Sequence, residues 1–112
     1  MSQITTHILD TSIGKPAAGV AISLHEQLEN GWQQIANGIT NADGRIAGLL
    51  PAGEVLPIGV YKMIFETKSY FEAKAIESFY PVVEIIFHLK TSEHYHIPLL
   101  LNPFGYSTYR GS

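Results

Sequence analysis

Residues 94–101 read HYHIPLLL, and this stretch decides the fold class. Successive side chains of an extended strand point to opposite sides, so one side carries an apolar stripe made of Tyr95, Ile97, Leu99 and Leu101. The other side carries His94, His96, Pro98 and Leu100. This period of two predicts a β-strand that buries the apolar stripe in a core and turns both histidines away from it.

Similar short segments, separated by Gly, Pro and Asn, fill most of the chain. We predict strands over residues 4–10, 20–25, 32–39, 60–66, 82–89, 94–101 and 106–110. Asn30-Gly31 predicts a hairpin turn because both residues tolerate positive φ. A second turn over 41–44 is expected to deliver Arg45 at its exit, and we predict loops over 14–16 and 51–57. Seven or eight short strands predict an all-β, two-sheet β-sandwich that forms a single domain over residues 1–112.

One segment breaks the alternation. Ser69-Tyr70-Phe71-Glu72 matches a capping box, in which the serine and glutamate side chains satisfy each other's backbone N–H groups. The following Ala73-Lys74-Ala75 favours helix. The sequence therefore predicts one short helix from Ser69 to Ile76.

Composition excludes several classes of function. The chain has 112 residues, a net charge of −3 and only seven basic residues, so it lacks the basic stripe of a nucleic-acid binder. No apolar run approaches the ~18 residues of a membrane span. The first residues lack the features of a secretory signal, so we expect a cytoplasmic protein. The absence of cysteine excludes disulfides, thiolate catalysis and cysteine-ligated zinc.

The charged fraction is low, at 15%, against about 25% in an average globular domain. Several predicted strands also carry apolar residues on both faces, for example Leu100 beside the histidines, and Val82 and Ile86 on the preceding strand. An outward face that combines apolar residues and histidines is more typical of an interface or a cleft than of open surface. We therefore expect the chain to associate with copies of itself through closed symmetry.

Polar groups that could carry chemistry concentrate near the end of the chain. Residues 108–112 read TYRGS, shortly after the His94-x-His96 pair. The chain has only two arginines, Arg45 and Arg110, and a guanidinium offers planar paired donors to a carboxylate or carbonyl oxygen. We expect this last segment to belong to a site. His25 and His88 also lie on predicted strands, and we assign them no role.

Three kinds of site could use these residues. Three histidines could bind a metal such as zinc. Ser112 and a histidine could form a nucleophilic pair. A histidine could also activate water directly while an arginine stabilises the developing oxyanion. Spacing alone leaves the three open, because the His-Glu-x-x-His and Gly-x-Ser-x-Gly motifs are both missing.

Three segments resemble those of the transthyretin-like 5-hydroxyisourate hydrolases. They are 7-HILDTSIGKPAAGV-20, 40-TNADGR-45, and the stretch from 94-HYHIPLLL-101 through 109-YRGS-112. The resemblance implies a transthyretin-like β-sandwich and a homotetramer assembled as a dimer of dimers, with active sites between the dimers. It also implies a small-molecule substrate, 5-hydroxyisourate, and neither a cofactor nor a metal. The ring amide would open to give 2-oxo-4-hydroxy-4-carboxy-5-ureidoimidazoline.

The resemblance also implies site residues. The catalytic set is His7, Arg45, His96 and Ser112, and the residues expected to hold the substrate are His7, Arg45, Tyr109 and Arg110. The two histidines would position and deprotonate water, and Arg45 would stabilise charge on the carbonyl oxygen. A covalent role for Ser112 is disfavoured because no neighbouring triad is evident. His94 matches the motif, but no catalytic role is assigned to it.

Two alternatives stay open from the sequence. A transthyretin-type module could bind a small molecule without catalysis, although His7, Arg45, His96 and the terminal residues argue against this. A zinc-dependent hydrolase is the second alternative. Turnover of fresh 5-hydroxyisourate would exclude the binding module. Activity that survives chelation would exclude the zinc-dependent hydrolase.

Overall fold

The computed structural model describes residues 1–112 and shows two four-stranded β-sheets that enclose one core. The strands are β1 (Ile4–Asp10), β2 (Lys15–Pro16), β3 (Ala21–Leu28), β4 (Gly31–Ile39), β5 (Gly59–Phe65), β6 (Val83–Leu89), β7 (Tyr95–Asn102) and β8 (Gly105–Thr108). The one helix, α1 (Thr67–Glu72), lies between β5 and β6. The prediction of an all-β, two-sheet sandwich of about eight strands with one short helix is confirmed.

Strand pairing determines which side chains share a face. One sheet has the order β2-β1-β7-β8 and the other β4-β3-β5-β6. Neighbours are antiparallel except β1 and β7, which run parallel with Thr5 opposite His96 and His7 opposite Pro98. The N-terminal and late histidines are thereby brought onto adjacent strands of one sheet.

The core is built from the inner faces of both sheets. The predicted stripe of β7 is buried, with none of its four residues more than 6% exposed. Tyr61, Met63 and Phe65 of β5 face it from the opposite sheet and are fully buried. Burial of apolar side chains in this layer supplies most of the driving force for folding. The outer face of β1 and β7 is left free to carry polar groups.

The helix differs from its prediction at both ends. It begins two residues earlier than Ser69, and its N-cap, Glu66, makes no side-chain capping bond, so the predicted capping box does not form. It ends at Glu72, because Ala75 adopts a left-handed φ of 57° and the Ile76 N–H bonds back to the Phe71 carbonyl. Burial of Tyr70 and Phe71 against the sandwich, rather than local capping, sets the position of the helix. No helix in the structure is long and apolar enough to cross a membrane.

Two turn assignments also need correction. The predicted hairpin forms, but Leu28 pairs with Gly31, so Glu29 and Asn30 make the turn and Gly31 begins β4. Only Gly31 takes a positive φ there, at 131°. Residues 15–16 form the short strand β2 rather than a loop, because they pair with the end of β1. The remaining strands match their predictions to within three residues at each end.

A buried carboxylate fastens α1 to β1. Asp10 is fully buried and accepts hydrogen bonds from the Tyr70 hydroxyl at 2.7 Å, the Ser12 hydroxyl at 2.5 Å and the Ser12 backbone N–H at 3.0 Å. Burial, assisted by Asp10, raises the pKa of the Tyr70 hydroxyl, so it remains a protonated donor at neutral pH. This network compensates the cost of placing a polar group inside the sandwich.

We expect Tyr70→Phe to lower the free energy of unfolding by about 1–3 kcal/mol, because it leaves the buried Asp10 carboxylate short of one donor. Urea unfolding followed by fluorescence measures this change. Tyr106→Phe is the matched control, since Tyr106 is 42% exposed and lies outside the network. Equal unfolding midpoints for the two variants would show that the Tyr70 hydroxyl contributes nothing to stability.

Candidate active site

Four neighbouring backbone segments form the candidate site on the outer face of the β1–β7 sheet. Arg45 pairs with His7 across an isolated antiparallel bridge, and β1 pairs with β7. On the far side of β7, Gly111 bridges to His96 and donates its N–H to the His96 carbonyl at 2.9 Å. The predicted catalytic residues His7, Arg45, His96 and Ser112 therefore lie on, or directly beside, adjacent segments.

The turn before Arg45 is pinned to β1. The Asn41 side-chain oxygen accepts from the backbone N–H groups of Asp43 and Arg45, at 2.9 and 3.2 Å. Gly44 has a φ of 73°, its carbonyl accepts from the Ile8 N–H at 2.9 Å, and a Cβ there would overlap the Ile8 carbonyl oxygen. Only glycine adopts this positive φ readily and also has no Cβ to overlap the Ile8 carbonyl. The Arg45 side chain is exposed and makes no ion pair or hydrogen bond within the chain, so its guanidinium is available to a ligand.

His96 is held on one side only. Its Nδ1 lies 2.8 Å from the Thr5 hydroxyl oxygen, which also lies 2.7 Å from Nε2 of His94. The two imidazole rings are nearly parallel, with centroids 6.3 Å apart. Nε2 of His96 has no hydrogen-bond partner within the chain, so one ring nitrogen remains free for chemistry.

The surroundings of His96 favour its neutral form. Partial burial lowers its pKa from the usual 6.5, and the charges of Arg45, His94 and His7 lower it further, while a backbone hydrogen bond of Thr5 acts weakly in the opposite direction. A histidine whose pKa lies below the ordinary value is unprotonated at neutral pH. His96 is therefore able to accept a proton from water.

The last residues of the chain cover one edge of His96. A Cβ on Gly111 would lie 2.6 Å from Cδ2 of the His96 ring and 3.2 Å from Cγ of Pro98. Only a residue without a side chain fits this close approach. Contact with Gly111 also explains why Pro98 is buried, although it lies on the outward side of β7. Ser112 then reaches the cleft.

The cleft has a volume of about 290 Å³. Its lining residues are Met1, Thr5, Thr6, Arg45, Ile46, His94, His96 and Ser112. Of the predicted catalytic residues, His7 does not line the cleft; it lies beside it, paired through its backbone with Arg45. It combines a cation, two imidazoles and hydroxyl groups in a space suited to a small polar molecule. No group of three or more His, Cys, Asp or Glu side chains in the structure is arranged to hold a metal ion.

Tyr109 and Arg110 do not line this cleft. They border a separate cavity of about 530 Å³ between β6, β7 and β8, and His96 borders both spaces. The Arg110 guanidinium donates to the Glu93 carboxylate at 2.6 Å and lies 4.4 Å from the centre of the Tyr95 ring. The hydrogen bond from Arg110 lowers the pKa of Glu93. Through these two contacts, Arg110 holds the last segment of the chain against the start of β7.

Sequence reasoning missed Thr5 and gave Gly111 no role. Thr5 shares the outward face of β1 with His7, but its meeting with His96 depends on a long-range parallel pairing that no local pattern reveals. His25 and His88 do not line the cleft, and His88 borders the cavity of about 530 Å³ instead. His25 instead contacts the Ser23 hydroxyl, at 2.8 Å, on the other sheet.

Comparisons with known proteins agree with this architecture. A family model described as "HIUase/Transthyretin family" matches residues 4–111. A 5-hydroxyisourate hydrolase from Salmonella typhimurium is 50% identical over 110 residues, which cover 97% of this chain and 80% of the relative. The structure of a Klebsiella pneumoniae 5-hydroxyisourate hydrolase superposes with a TM-score of 0.85 at 42% identity, covering 97% of this chain and 92% of the other. A sea bream transthyretin in complex with thyroxine superposes with a TM-score of 0.91 at 35% identity, covering 98% and 95%.

Proposed function

Because the chain belongs to the HIUase/Transthyretin family, we propose that it is an enzyme that hydrolyses 5-hydroxyisourate in purine breakdown. The observation that carries this proposal is that two groups share a polar cleft. One is His96, whose lowered pKa favours the neutral form and whose Nε2 has no hydrogen-bond partner, and the other is Arg45, which makes no ion pair. A hydrolytic ring opening needs a base for water and a cation for the oxyanion. The higher identity to the two hydrolases than to the transthyretin points in the same direction.

In the proposed mechanism, His96 and His7 hold a water molecule and take one of its protons. The water oxygen adds to a ring carbonyl carbon, and Arg45 stabilises the negative charge that develops on the carbonyl oxygen. The ring C–N bond then breaks, and the departing nitrogen receives the proton from the histidine. The products of this step are a carboxylic acid, which releases its proton to solvent at neutral pH, and an opened ring, as in 2-oxo-4-hydroxy-4-carboxy-5-ureidoimidazoline.

The last residues supply the rest of the site in this proposal. The Ser112 hydroxyl hydrogen-bonds the substrate ring from the edge of the cleft, since Ser112 lines it beside His96. Arg110 acts at a distance, through its contacts with Glu93 and Tyr95 that fasten the last segment. Tyr109 is 59% exposed in the single chain and would reach substrate only from the neighbouring cavity.

We also propose that the working form is a homotetramer, a dimer of dimers with its sites between the dimers. Ile86 on the outer face of β6 is 60% exposed, and Leu100 lies half-exposed on the face that carries the histidines. Association would remove this apolar surface from water. Light scattering gives the mass directly, and an active monomer would exclude this part of the proposal.

A rapid-mixing assay tests the function. Fresh 5-hydroxyisourate, generated in situ by oxidation of urate, is mixed with the protein and its absorbance is followed. The proposal requires decay that is faster than in buffer and proportional to protein concentration. The similarity to a transthyretin that binds thyroxine favours a second candidate, a non-catalytic binding module. Saturable binding of the substrate without faster decay would establish that candidate instead.

We expect a chelator to leave the activity intact and micromolar zinc to inhibit it. A bound transition metal would occupy the imidazole nitrogen that must accept a proton from water, since imidazole is a good ligand for zinc. Initial rates with and without chelator, and across a zinc titration, measure both effects. Activity that is lost on chelation and restored by zinc would instead establish a metal-dependent hydrolase.

A further inference from the structure

The Thr5 hydroxyl occupies an unusual position between two imidazoles. Its oxygen lies 2.7 Å from Nε2 of His94 and 2.8 Å from Nδ1 of His96. The adjacent Thr6 is different, because its buried hydroxyl donates to the Ile97 carbonyl at 2.6 Å and so links β1 to β7. The Thr5 hydroxyl contacts side chains only, and both of them face the candidate active site.

We propose that Thr5 is a positioning residue that fixes the tautomer of His96: Thr5 donates its proton to Nε2 of His94 and accepts the Nδ1–H of His96. The Nε2 lone pair of His96 is then the one free to take a proton from water. This inference deepens the proposed hydrolase function and rests on it for its effect on the rate. The tautomer itself is independent of any substrate.

Hydrogen-bond counting restricts the arrangements at this site. A hydroxyl carries one proton and two lone pairs, so it donates to at most one of the two imidazoles. If Thr5 donated to Nδ1 of His96, the proton of that neutral ring would lie on Nε2 and the ring could not act as a base there. If Thr5 donates to His94, the N–H of His96 points at Thr5 and Nε2 is free.

The position of Arg45 selects the second arrangement, in which Thr5 donates to His94. Arg45 lines the same cleft and its charge lowers the pKa of His96, and a nearby cation favours a lone pair over an N–H on the open side of the ring.

Three charged or titratable side chains act on the pKa of His96 from the side of the cleft. They are His7 on β1, Arg45 after the turn, and His94 immediately before β7. Met1 and Ser112 also line the cleft, and Gly111 contributes only backbone. None of these groups hydrogen-bonds to the His96 ring, so Thr5 is the one residue in the chain placed to set its tautomer through a direct hydrogen bond.

The test combines NMR of the full chain with kinetics. Nitrogen-15 shifts of the histidine rings, recorded well above their titration, report which nitrogen carries the proton. We expect Nδ1–H for His96 in the wild type and a shift toward the usual Nε2–H form in Thr5→Val, which keeps the shape of the side chain but loses the hydroxyl. His94→Leu removes the acceptor of the Thr5 proton and should shift His96 in the same direction.

Kinetics supply the second readout. We expect Thr5→Val to lower kcat by roughly 10- to 100-fold, the range found when a metal-ligating histidine loses its hydrogen-bond partner, with little change in KM. Thr5→Ser should restore both the tautomer and most of the rate. Ser23→Ala is the matched control, because it removes a hydroxyl–histidine contact of 2.8 Å on the other sheet, and its rate should equal that of the wild type.

Each outcome bears on one claim. An Nε2–H wild-type His96, or an unchanged tautomer in Thr5→Val or His94→Leu, would overturn the role of Thr5. A tautomer shift in Thr5→Val with an unchanged kcat would overturn its importance for the reaction. A wild-type protein without turnover that still shows the shift would overturn the proposed function while supporting the positioning by Thr5.

Discussion

Replacement of His96 with Asn is expected to lower the rate of 5-hydroxyisourate hydrolysis by roughly 100-fold or more, the usual scale for a group that moves a proton. Asparagine preserves a polar, planar side chain that still reaches Thr5, but it cannot accept a proton from water. His7→Asn should cause a loss of similar size, because His7 lies on the neighbouring strand beside Arg45 and would share the water molecule. Steady-state kcat and KM for both variants measure these effects.

The pH dependence of the same reaction gives an independent signature. The pKa of His96 is lowered below 6.5, chiefly by burial and then by Arg45, and the active form of a base is the deprotonated one. The value of kcat/KM should therefore stay constant as the pH falls to 6.5. It should decline only below that pH, where the His96 ring gains a proton. The acid limb of the kcat/KM profile should disappear in His96→Asn.

His25→Asn is the control for these substitutions. His25 also lies on a strand, is half-buried and has a lowered pKa, but its causes are burial and Lys62, far from the cleft lining. Its replacement should leave the rate within a factor of two or so, as expected for a surface change remote from the site. Undiminished turnover by His96→Asn would contradict the assignment of His96 as the base.

Local patterns predicted the strands well because alternation is a local property. The inward stripe of β7 and the outward position of His96 follow from spacing alone, and both are present in the structure. The turn that delivers Arg45 was also predictable, because Asn41 and Gly44 satisfy its backbone requirements within five residues.

Long-range relationships could not be predicted from spacing. The contact of Thr5 with His94 and His96 requires the parallel register of β1 and β7, which join residues about ninety positions apart. The start of α1 likewise depends on which aromatic side chains the sandwich buries, and this burial overrode the Ser69 capping signal. The resemblance to a family supplied the site residues that spacing left open, but it did not reveal that Arg110 is engaged by Glu93.

Deletion of residues 109–112 is expected to lower turnover by roughly 100-fold or more, since small displacements of catalytic groups have effects of this size. The deletion removes the Gly111 backbone bond to His96, the cover over Pro98 and the Ser112 hydroxyl in one step. The fold should survive, because the buried stripe of β7 and the pairing of β7 with β8 end before residue 109. Turnover, circular dichroism and light scattering on the same sample measure activity, fold and assembly separately.

Gly111→Ala tests the same contact with a single methyl group. Its Cβ would lie 2.6 Å from a carbon of the His96 ring, so either the imidazole or the last segment must move, and we expect kcat to fall strongly while the melting temperature changes little. Gly59→Ala is the control, because a Cβ at that position meets nothing within 4 Å. Full activity in both Gly111→Ala and the deletion would show that the last residues are not part of the site. Loss of activity in the deletion alone would assign the effect to Tyr109, to Ser112 or to the fastening by Arg110, and Tyr109→Ala, Ser112→Ala and Arg110→Gln would then separate the three.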